Sequence, residues 1–342
     1  MKIAIHKRKG GFYQRWINYC ETNNISYKAV NCYSNDIVDQ LKECDALLWH
    51  HNQMNPTDLI IAKQILYALE HSGFKVFPNF NTGWHFDDKL GQKYLLEAIG
   101  APIVPSYAFF SKKDALEWVF KQDFPKVFKL RGGAGSANVD LVRTKKEAIK
   151  YINKAFGRGF RQYEPWSNLR ERWRKYRLGL TDLYDVFKGV LRFYEEPEFS
   201  KTIGYERGYV YFQDFIPDND SDIRVIVIGK RAFAVRRFIR EGDFRASGSG
   251  IKEYDREKID LKLVEISFKF AKKLNSDSLA FDFIYDKGSP LIVELSYGFA
   301  VEFYDPCPGY WDNQLNWHEG FFNPQEWMVE DLVNKIKSRA IE

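Results

Sequence analysis

Short apolar runs alternate with segments of helical spacing through the first 85 residues. Pro56 and Gly73 stand near the two ends of one helical segment, where helices favour these residue types. Strands that alternate with helices in this way pack as a parallel sheet. The strands and helices are predicted at 2–6, 12–23, 26–33, 45–51, 56–73 and 74–79. We therefore expect an N-terminal α/β domain with a parallel sheet.

From residue 86 the pattern changes to helices and hairpins. A helix at 87–100 precedes a strand, a glycine-rich loop and a second strand at 125–143. The segment DIRVIVIGKRAFAVRRFI predicts a hairpin that turns at Gly229 and Lys230, and a second hairpin is predicted at 280–298. The fold class is therefore α/β, with an α+β C-terminal half. Four segments are expected: 1–85, 86–156, 157–208 and 209–342.

Two acids stand in the apolar strands of the hairpin at 280–298. If residues 287–289 form a three-residue turn, Asp282 lies opposite Glu294, with their Cβ atoms ~5 Å apart. A divalent cation would relieve the repulsion by binding both carboxylates, with Ser296 on the same face as a third oxygen ligand. A turn of two or four residues would put the acids on opposite faces. The alternative is that both acids pair with arginines or face water.

A glycine-rich loop, RGGAGSAN at 131–138, follows a strand that contains Lys129. Glycine lets backbone amides approach a phosphate closely, and a nearby lysine adds positive charge. The loop lacks the G-K-[ST] ending of a P-loop. It indicates either a phosphate site of another kind or a flexible hairpin loop.

Arginines in and after the first hairpin also suggest an anion. Period-two counting puts Arg224 on the same apolar face as Ile226 and Ile228, and a buried arginine needs an anionic partner. A polyphosphate or an acyl phosphate would serve, whereas ordinary surface positions are the alternative. The arginines concerned are Arg224, Arg237 and Arg245.

Taken in order, these motifs resemble the ATP-grasp superfamily, in particular its glutathione synthetase and ribosomal-protein glutamate ligase type. The resemblance covers roughly 86–298 and ends on Asp282 and Glu-x-Ser. It implies an ATP-grasp fold that binds ATP and two Mg²⁺ ions. The residues implied to hold the ATP phosphates are Lys89, Lys129, Gly132, Gly133, Gly135 and Ser136.

The resemblance implies roles for the other candidates as well. Gln213 and Phe215 would bind adenine, Phe215 through its backbone. Asp222 would accept hydrogen bonds from the ribose hydroxyls, and Asp220 is the alternative residue for this role. The arginines would lie near the transferred phosphate and the substrate carboxylate. The implied magnesium ligands are Asp282, Glu294 and Ser296.

Two positions depart from the family pattern. Ser296 stands where the family usually has Asn in Glu-x-Asn, and Ser247 replaces the Asn that follows GDFR. The implied activity is an ADP-forming carboxylate–amine ligase that works through an acyl phosphate. The alternatives are an ATP-dependent phosphotransferase and a non-catalytic nucleotide- or polyanion-binding protein.

An insertion at 157–208 is rich in basic and aromatic residues. Residues 158–177 hold seven Arg or Lys and only two Glu. Apolar residues recur in steps of four and three from Leu169 to Val190, which predicts an amphipathic helical seam with its basic residues off the seam. We expect the seam to pack on the protein itself. Contact of 157–177 with an anionic polymer, a membrane surface or RNA is the alternative.

Composition limits the remaining classes. The chain of 342 residues has a net charge of +5 and no apolar run near the ~20 residues of a membrane span. Its four cysteines form no C-x-x-C pair, so neither a zinc site nor a disulfide framework is indicated, and we expect a cytoplasmic protein. The expected partners are small-molecule or glycan substrates, because tryptophan and tyrosine faces suit sugar rings. His50 and His51 end a predicted strand, where they are capped or contact substrate. Aromatics that could form core, lid or sugar platform are Tyr297, Phe299, Tyr304, Tyr310, Trp311 and Trp317.

Overall fold

The structure, a computed structural model, describes residues 1–133, 138–161, 165–177, 181–191, 198–239, 244–245 and 251–339. The chain divides into two compact units. Unit 1 comprises Met1–Gln53, Thr57–Val104 and Ile216–Glu342, and unit 2 comprises Met54–Pro56 and Pro105–Phe215. Unit 1 therefore combines the N-terminal α/β segment with the C-terminal hairpins. The division into four segments stays a prediction.

The N-terminal part of unit 1 is the predicted parallel sheet with flanking helices. Its strands run in the order β2-β1-β3-β4 and every neighbouring pair is parallel. Both faces are covered, because Ile3 and Ile5 belong to one core and Ala4 to another. The elements are β1 Lys2–His6, α1 Tyr13–Thr22, β2 Ser26–Val30, α2 Ile37–Gln40, β3 Ala46–Leu48, α3 Pro56–His71, β4 Lys75–Phe77, α4 Phe80–Gly83 and α5 Lys89–Ala98.

Unit 2 is built on an antiparallel sheet in the order β5-β10-β6-β7, and a small pair, β8-β9, stands apart from it. The sheet packs on two helices, α6 and α7, whose small residues Ala115 and Ala148 are fully buried. The elements are β5 Ser106–Phe109, α6 Lys112–Phe120, β6 Lys126–Lys129, β7 Val139–Val142, α7 Lys145–Ala155, β8 Phe160–Arg161, α8 Pro165–Arg177, α9 Leu183–Leu191, α10 Glu198–Ile203, β9 Tyr205–Glu206 and β10 Val210–Asp214.

The C-terminal part of unit 1 is a second, antiparallel sheet in the order β15-β14-β11-β12-β16-β17, with β13 paired to β12. The first predicted hairpin turns at Gly229 and Lys230, as expected. The elements are β11 Ser221–Ile228, β12 Arg231–Phe238, β13 Lys252–Glu253, α11 Leu261–Lys273, β14 Ser278–Asp286, β15 Ser289–Ser296, β16 Gly309–Asp312, β17 Trp317–Glu319 and α12 Pro324–Arg339.

The two faces of this sheet serve different cores. Val225 and Phe281 point to the core that contains α11, whereas Ile226 and Ala280 belong to the core shared with the N-terminal sheet. The second face carries the candidate site at one end, beyond the apolar residues. None of the helices in the described part of the chain is long and apolar enough to cross a membrane.

Candidate functional site

A cluster of two aspartates and two arginines lies on the second face of the C-terminal sheet. Strand register places Asp222 opposite Arg237 and Arg224 opposite Asp282. Arg224 donates from Nε and Nη2 to the two oxygens of Asp282, at 2.6 and 2.7 Å. Arg237 donates in the same way to Asp222, at 2.6 Å twice, and its Nη2 also lies 2.9 Å from Asp282 Oδ2. We call these four residues the charged cluster.

The cluster balances its charges inside the protein. The side chains of Arg237 and Asp282 are 6% and 10% exposed, so water contributes little to their solvation. Burial alone would raise the pKa of Asp282, but Arg224 and Arg237 hold that pKa well below its ordinary value. Asp282 therefore stays ionised at neutral pH, and its charge is shared between two guanidinium groups.

Tyr304 is a member of this neighbourhood that the sequence analysis did not assign to it. Its hydroxyl interacts electrostatically with Arg224, and burial raises the pKa of Tyr304, so the hydroxyl stays protonated. Tyr304 follows a short loop after β15, and no local pattern links it to β11. In the sequence, only the presence of an aromatic residue with a polar hydroxyl could have suggested that Tyr304 lies beside the charged cluster.

The hairpin of β14 and β15 brings Asp282 opposite Glu294, as predicted, but by a different route. The turn has two residues, Lys287 and Gly288, and both have positive φ. The expected three-residue turn is wrong. A register shift after Asp282, where β15 has one extra residue, restores the pairing that a two-residue turn alone would have lost.

Glu294 faces a lysine from the first helix of the ATP-grasp-like region. Lys89 Nζ lies 3.4 Å from Glu294 Oε1, and the lysine side chain is almost fully buried. Its helix, α5, begins at Lys89 after Asp88, whose carboxylate accepts from the Gly91 amide. One turn later Gln92 exchanges hydrogen bonds with the Leu295 backbone at 2.8 and 2.9 Å. This clamp fixes Lys89 beside β15.

Unit 2 carries the other predicted nucleotide residues. Lys129 Nζ donates to Gln213 Oε1 at 2.6 Å, and Gln213 Nε2 lies 3.1 Å from Ser106 Oγ. Phe215 follows the last residue of β10. In the glycine-rich loop, Gly132 donates its amide to Glu206 and Gly133 has a φ of +127°, which favours glycine. Gly135 and Ser136 lie outside the described residues.

Residues 194–304, which include the charged cluster, match the family described as RimK-like ATP-grasp domain. The chain is also 24% identical, over 80% of its length and 84% of the relative's, to the alpha-aminoadipate–LysW ligase LysX of Saccharolobus solfataricus. The chain therefore contains a RimK-like ATP-grasp domain.

Solved ATP-grasp structures share the fold along the whole chain. D-alanine–D-alanine ligase from Bacillus anthracis, complexed with ATP, covers 99% of both chains with a TM-score of 0.58 and 14% identity. The RimK domain ATP-grasp protein from Sphaerobacter thermophilus covers 98% of this chain and 100% of its own, with a TM-score of 0.56 and 12% identity. The prediction of an ATP-grasp fold, α/β with α+β in the C-terminal half, is confirmed.

Within this ATP-grasp fold the predicted site residues stand as follows. Unit 1 brings Asp222, Arg224, Arg237 and Asp282 together, and Lys89 meets Glu294. Arg245 lies near the Phe244 ring, 5.9 Å from its centroid, and Ser247 is outside the described residues. Asp220 pairs with Arg236 at 3.1 Å, whereas both oxygens of Asp222 accept from Arg237. The individual ligand roles stay predictions.

The chemistry of the donors fits Mg²⁺. Glu294 is partly exposed and has a lysine partner at 3.4 Å, so its carboxylate has oxygen lone pairs to offer. The Ser296 hydroxyl donates to the Gly298 carbonyl at 2.8 Å, which leaves its own oxygen available as an acceptor. Both oxygens of Asp282 already accept hydrogen bonds from Arg224. This arrangement corresponds to the alternative in which the acid pairs with arginine. No group of three His, Cys, Asp or Glu gathers within the described residues.

His50 is held by hydrogen bonding and ring stacking, and the C-terminal aromatics lie in or against the hydrophobic cores. His50 Nδ1 accepts from the Phe12 amide at 3.2 Å, and burial keeps the pKa of His50 well below its ordinary value. The ring stacks on Phe12, so His50 is a capped, neutral side chain. Tyr297, Phe299 and Tyr304 belong to the core shared by the two sheets. Trp311 lies in the other core, against which Trp317 packs, and Tyr310 borders the first.

Proposed function

We propose that this protein is an ATP-dependent carboxylate–amine ligase that forms an amide through an acyl phosphate. The charged cluster beside Lys89 and Glu294 is the observation that carries the proposal. Together these residues place two arginines and three carboxylates on one sheet face beside a lysine of α5, where a low local dielectric strengthens each interaction with a transferred phosphoryl group.

In the first proposed step, a carboxylate oxygen of the substrate attacks the γ-phosphorus of ATP. The bond from that phosphorus to the β–γ bridging oxygen breaks, and ADP leaves. In the second step, the amine nitrogen attacks the carbonyl carbon and inorganic phosphate leaves with the electron pair of the C–O bond. The amine loses a proton to solvent or phosphate, which gives the amide.

Arg224 and Arg237 are the residues proposed to stabilise the negative charge of the phosphoryl group and of the tetrahedral intermediate. Each already forms a bidentate carboxylate pair, so its guanidinium plane is oriented before any ligand arrives. Lys89 would hold a phosphate oxygen. Glu294, Ser296 and Asp282 would hold two Mg²⁺ ions, which when bound neutralise the phosphate charge.

An amino acid is the substrate class favoured here. The similarity to a ligase named for alpha-aminoadipate, itself an amino acid, supports this choice. A uronic-acid sugar in glycan modification is the second candidate. We place the reaction in the cytoplasm, where ATP is supplied and where the buried cysteines stay reduced.

A panel of amino acids and uronic acids, each with a panel of amines, tests the activity through ADP release. Hydroxylamine should trap the acyl phosphate as a hydroxamate, and mass spectrometry should find an amide in the complete reaction. Glu294→Ala should lower ADP release about 100-fold or more, because a ligand of the phosphate-neutralising ions is lost. Glu265→Ala, an exposed acid on α11, is the matched control and should retain full activity.

Three outcomes would contradict the proposal or part of it. ADP formation with a phosphorylated acceptor and no hydroxamate would instead identify a phosphotransferase. Normal turnover by the Glu294→Ala variant would show that Glu294 is not a Mg²⁺ ligand needed for the reaction. Absence of turnover over the whole panel, together with no ATP binding by calorimetry, would identify a non-catalytic protein.

A further inference from the structure

The amphipathic seam predicted in the insertion folds as a hairpin of two helices. Arg172 of α8 pairs with Asp185 of α9, and Gly189 lies against Leu169 and Arg172. The earlier residue of α8, Leu169, meets the later residue of α9, Gly189, whereas Arg172 pairs with Asp185, so the two helices are antiparallel. Gly189 is buried in this contact, and Val186 of the same helix is buried as well.

Large apolar side chains cover much of the rest of the hairpin surface. Trp166 is 70% exposed, Leu183 58% and Phe187 57%. Such exposures mean that the side chains project outward and do not line a groove. We call the exposed set the hairpin patch, which consists of Trp166, Trp173, Tyr176, Leu183, Tyr184, Phe187, Val190 and Leu191.

Helix α9 makes the patch unusual. Its sequence, LYDVFKGVL, is amphipathic, with Asp185 and Lys188 on one face, and Asp185 is paired to Arg172. An amphipathic helix normally packs its apolar face against the protein core, whereas Leu183 and Phe187 of α9 are exposed. Large apolar side chains exposed in this number mark a site of contact with another molecule or a membrane.

Of the predicted seam, Leu169 packs against Gly189 of α9. The expectation that the seam packs on the protein itself is wrong for the other seam residues that the structure describes, which are exposed: Trp173, Tyr176, Leu183, Phe187 and Val190.

The neighbouring helix is strongly basic. The α8 sequence PWSNLRERWRKYR holds five Arg or Lys and one Glu, a net charge of +4, and α9 adds one base and one acid. Arg170, Arg177 and Lys188 are exposed. The hairpin thus presents apolar side chains next to positive charge. This combination is typical of helices that lie in the headgroup region of an anionic membrane.

The residue types favour a lipid surface over other partners. Five of the eight patch residues are aromatic and could stack on a nucleic-acid base. The aliphatic side chains Leu183, Val190 and Leu191 could not, but they gain free energy when they enter acyl chains. A second copy of the chain would bring two helices of charge +4 together, which is unfavourable. Tryptophan and tyrosine, in contrast, favour the boundary between headgroups and acyl chains.

We propose that the α8–α9 hairpin docks on an anionic lipid surface, with Leu183 and Phe187 in the acyl boundary and Arg170 and Arg177 of α8 on the headgroups. This inference stands on the hairpin alone and does not depend on the ligase reaction. It assigns the insertion a role in holding the protein at a membrane without a membrane-spanning helix.

Sedimentation with vesicles tests the proposal on the full chain. Wild type should bind vesicles of phosphatidylcholine with phosphatidylserine, bind pure phosphatidylcholine weakly, and lose affinity as salt is raised. The double variant Leu183→Ser with Phe187→Ser should lose about tenfold or more in vesicle affinity, because it removes two apolar side chains that would be buried in the lipid on binding. Arg170→Glu with Arg177→Glu should lose binding to the anionic vesicles in the same way.

Matched controls separate the hairpin from general surface effects. Phe321→Ser removes an even more exposed aromatic elsewhere, and Lys112→Glu with Lys262→Glu makes the same charge change outside the hairpin. Both should bind like wild type, and circular dichroism should show every variant folded. Failure of wild type to bind anionic vesicles, or unchanged binding by the apolar double variant, would overturn the proposal.

Other partners would give different results. Concentration-dependent dimers that the apolar double variant abolishes would assign the patch to self-association. Binding to RNA or polyglutamate without binding to vesicles would assign it to a nucleic acid or an acidic protein. Each of these outcomes would overturn the lipid assignment.

Discussion

In most proteins charged side chains are exposed and large apolar side chains are buried. The charged cluster of unit 1 is an exception to the first rule, and the hairpin patch of unit 2 is an exception to the second. The cluster buries the side chains of Arg237 and Asp282 and partly buries those of Arg224 and Asp222, and each finds its partner within the chain. The patch exposes eight large apolar side chains in the described part of the insertion. Burial of charge is tolerated because the partners are internal, whereas exposure of apolar surface points to a partner that is external.

The two regions should therefore respond differently to substitution. Removal of one member of the cluster leaves another charge buried without compensation, which affects folding first. Removal of a patch residue takes nothing from the folded core, so it should affect binding and leave folding nearly unchanged. Three measurements of stability can break or sharpen this contrast.

Asp282→Ala should have the largest effect on stability. It leaves Arg224 without its bidentate partner and removes one of two acceptors from Arg237. Breaking a buried ion pair in this way costs about 3–5 kcal/mol in the free energy of unfolding. Urea denaturation at neutral pH measures the change. A loss below about 1 kcal/mol would mean that water reaches the arginines and that the cluster is not a buried network.

His51→Phe should have an intermediate effect that depends on pH. Burial, with Lys63 and Arg8, lowers the pKa of His51 to about 3, and its Nε2 is buried without a hydrogen-bond partner. Because the unfolded chain binds the proton near pH 6.5, the histidine lowers stability as pH falls below that value, by about 1.4 kcal/mol per pH unit. This cost is absent above pH 6.5.

The His51 prediction is measured as a difference between two proteins. Urea unfolding at pH 7.5 and 5.5 should show that the phenylalanine variant gains about 1.4 kcal/mol relative to wild type over this interval. Other histidines cancel in the comparison. His71→Phe, at an exposed position, is the control. An equal difference at both pH values would show that His51 is hydrated and accepts a proton in the folded protein.

Phe187→Ser should have the smallest effect on stability. The side chain is 57% exposed, so the free energy of unfolding should change by no more than about 0.5 kcal/mol. The same variant, in combination with Leu183→Ser, is expected to weaken vesicle binding. Thermal unfolding in the absence of lipid is the measurement. A large destabilisation would mean that the patch is covered by the protein itself, and the contrast with the charged cluster would disappear.

Local patterns predicted much of the fold because they report short-range physics. Alternating strand and helix periods predicted the N-terminal parallel sheet, and period two placed Arg224 on the face of Ile226, where the structure has it. The two-residue turn at Lys287 was not predicted, because turn length depends on backbone φ and the bulge that compensates for it lies several residues away. The final strands β16 and β17 and helix α12 were not predicted either.

The sequence by itself determined the order of the elements, the faces on which charged side chains stand, and the ATP-grasp relationship, because periodicity and motif order are local properties of the chain. Only the tertiary structure decided that Asp282 pairs with Arg224 and Arg237, that Tyr304 joins them, and that the α8–α9 hairpin leaves Phe187 exposed. These outcomes depend on which distant strands and helices meet. A side chain's period specifies the direction in which it points, but its partner is set by long-range register and packing.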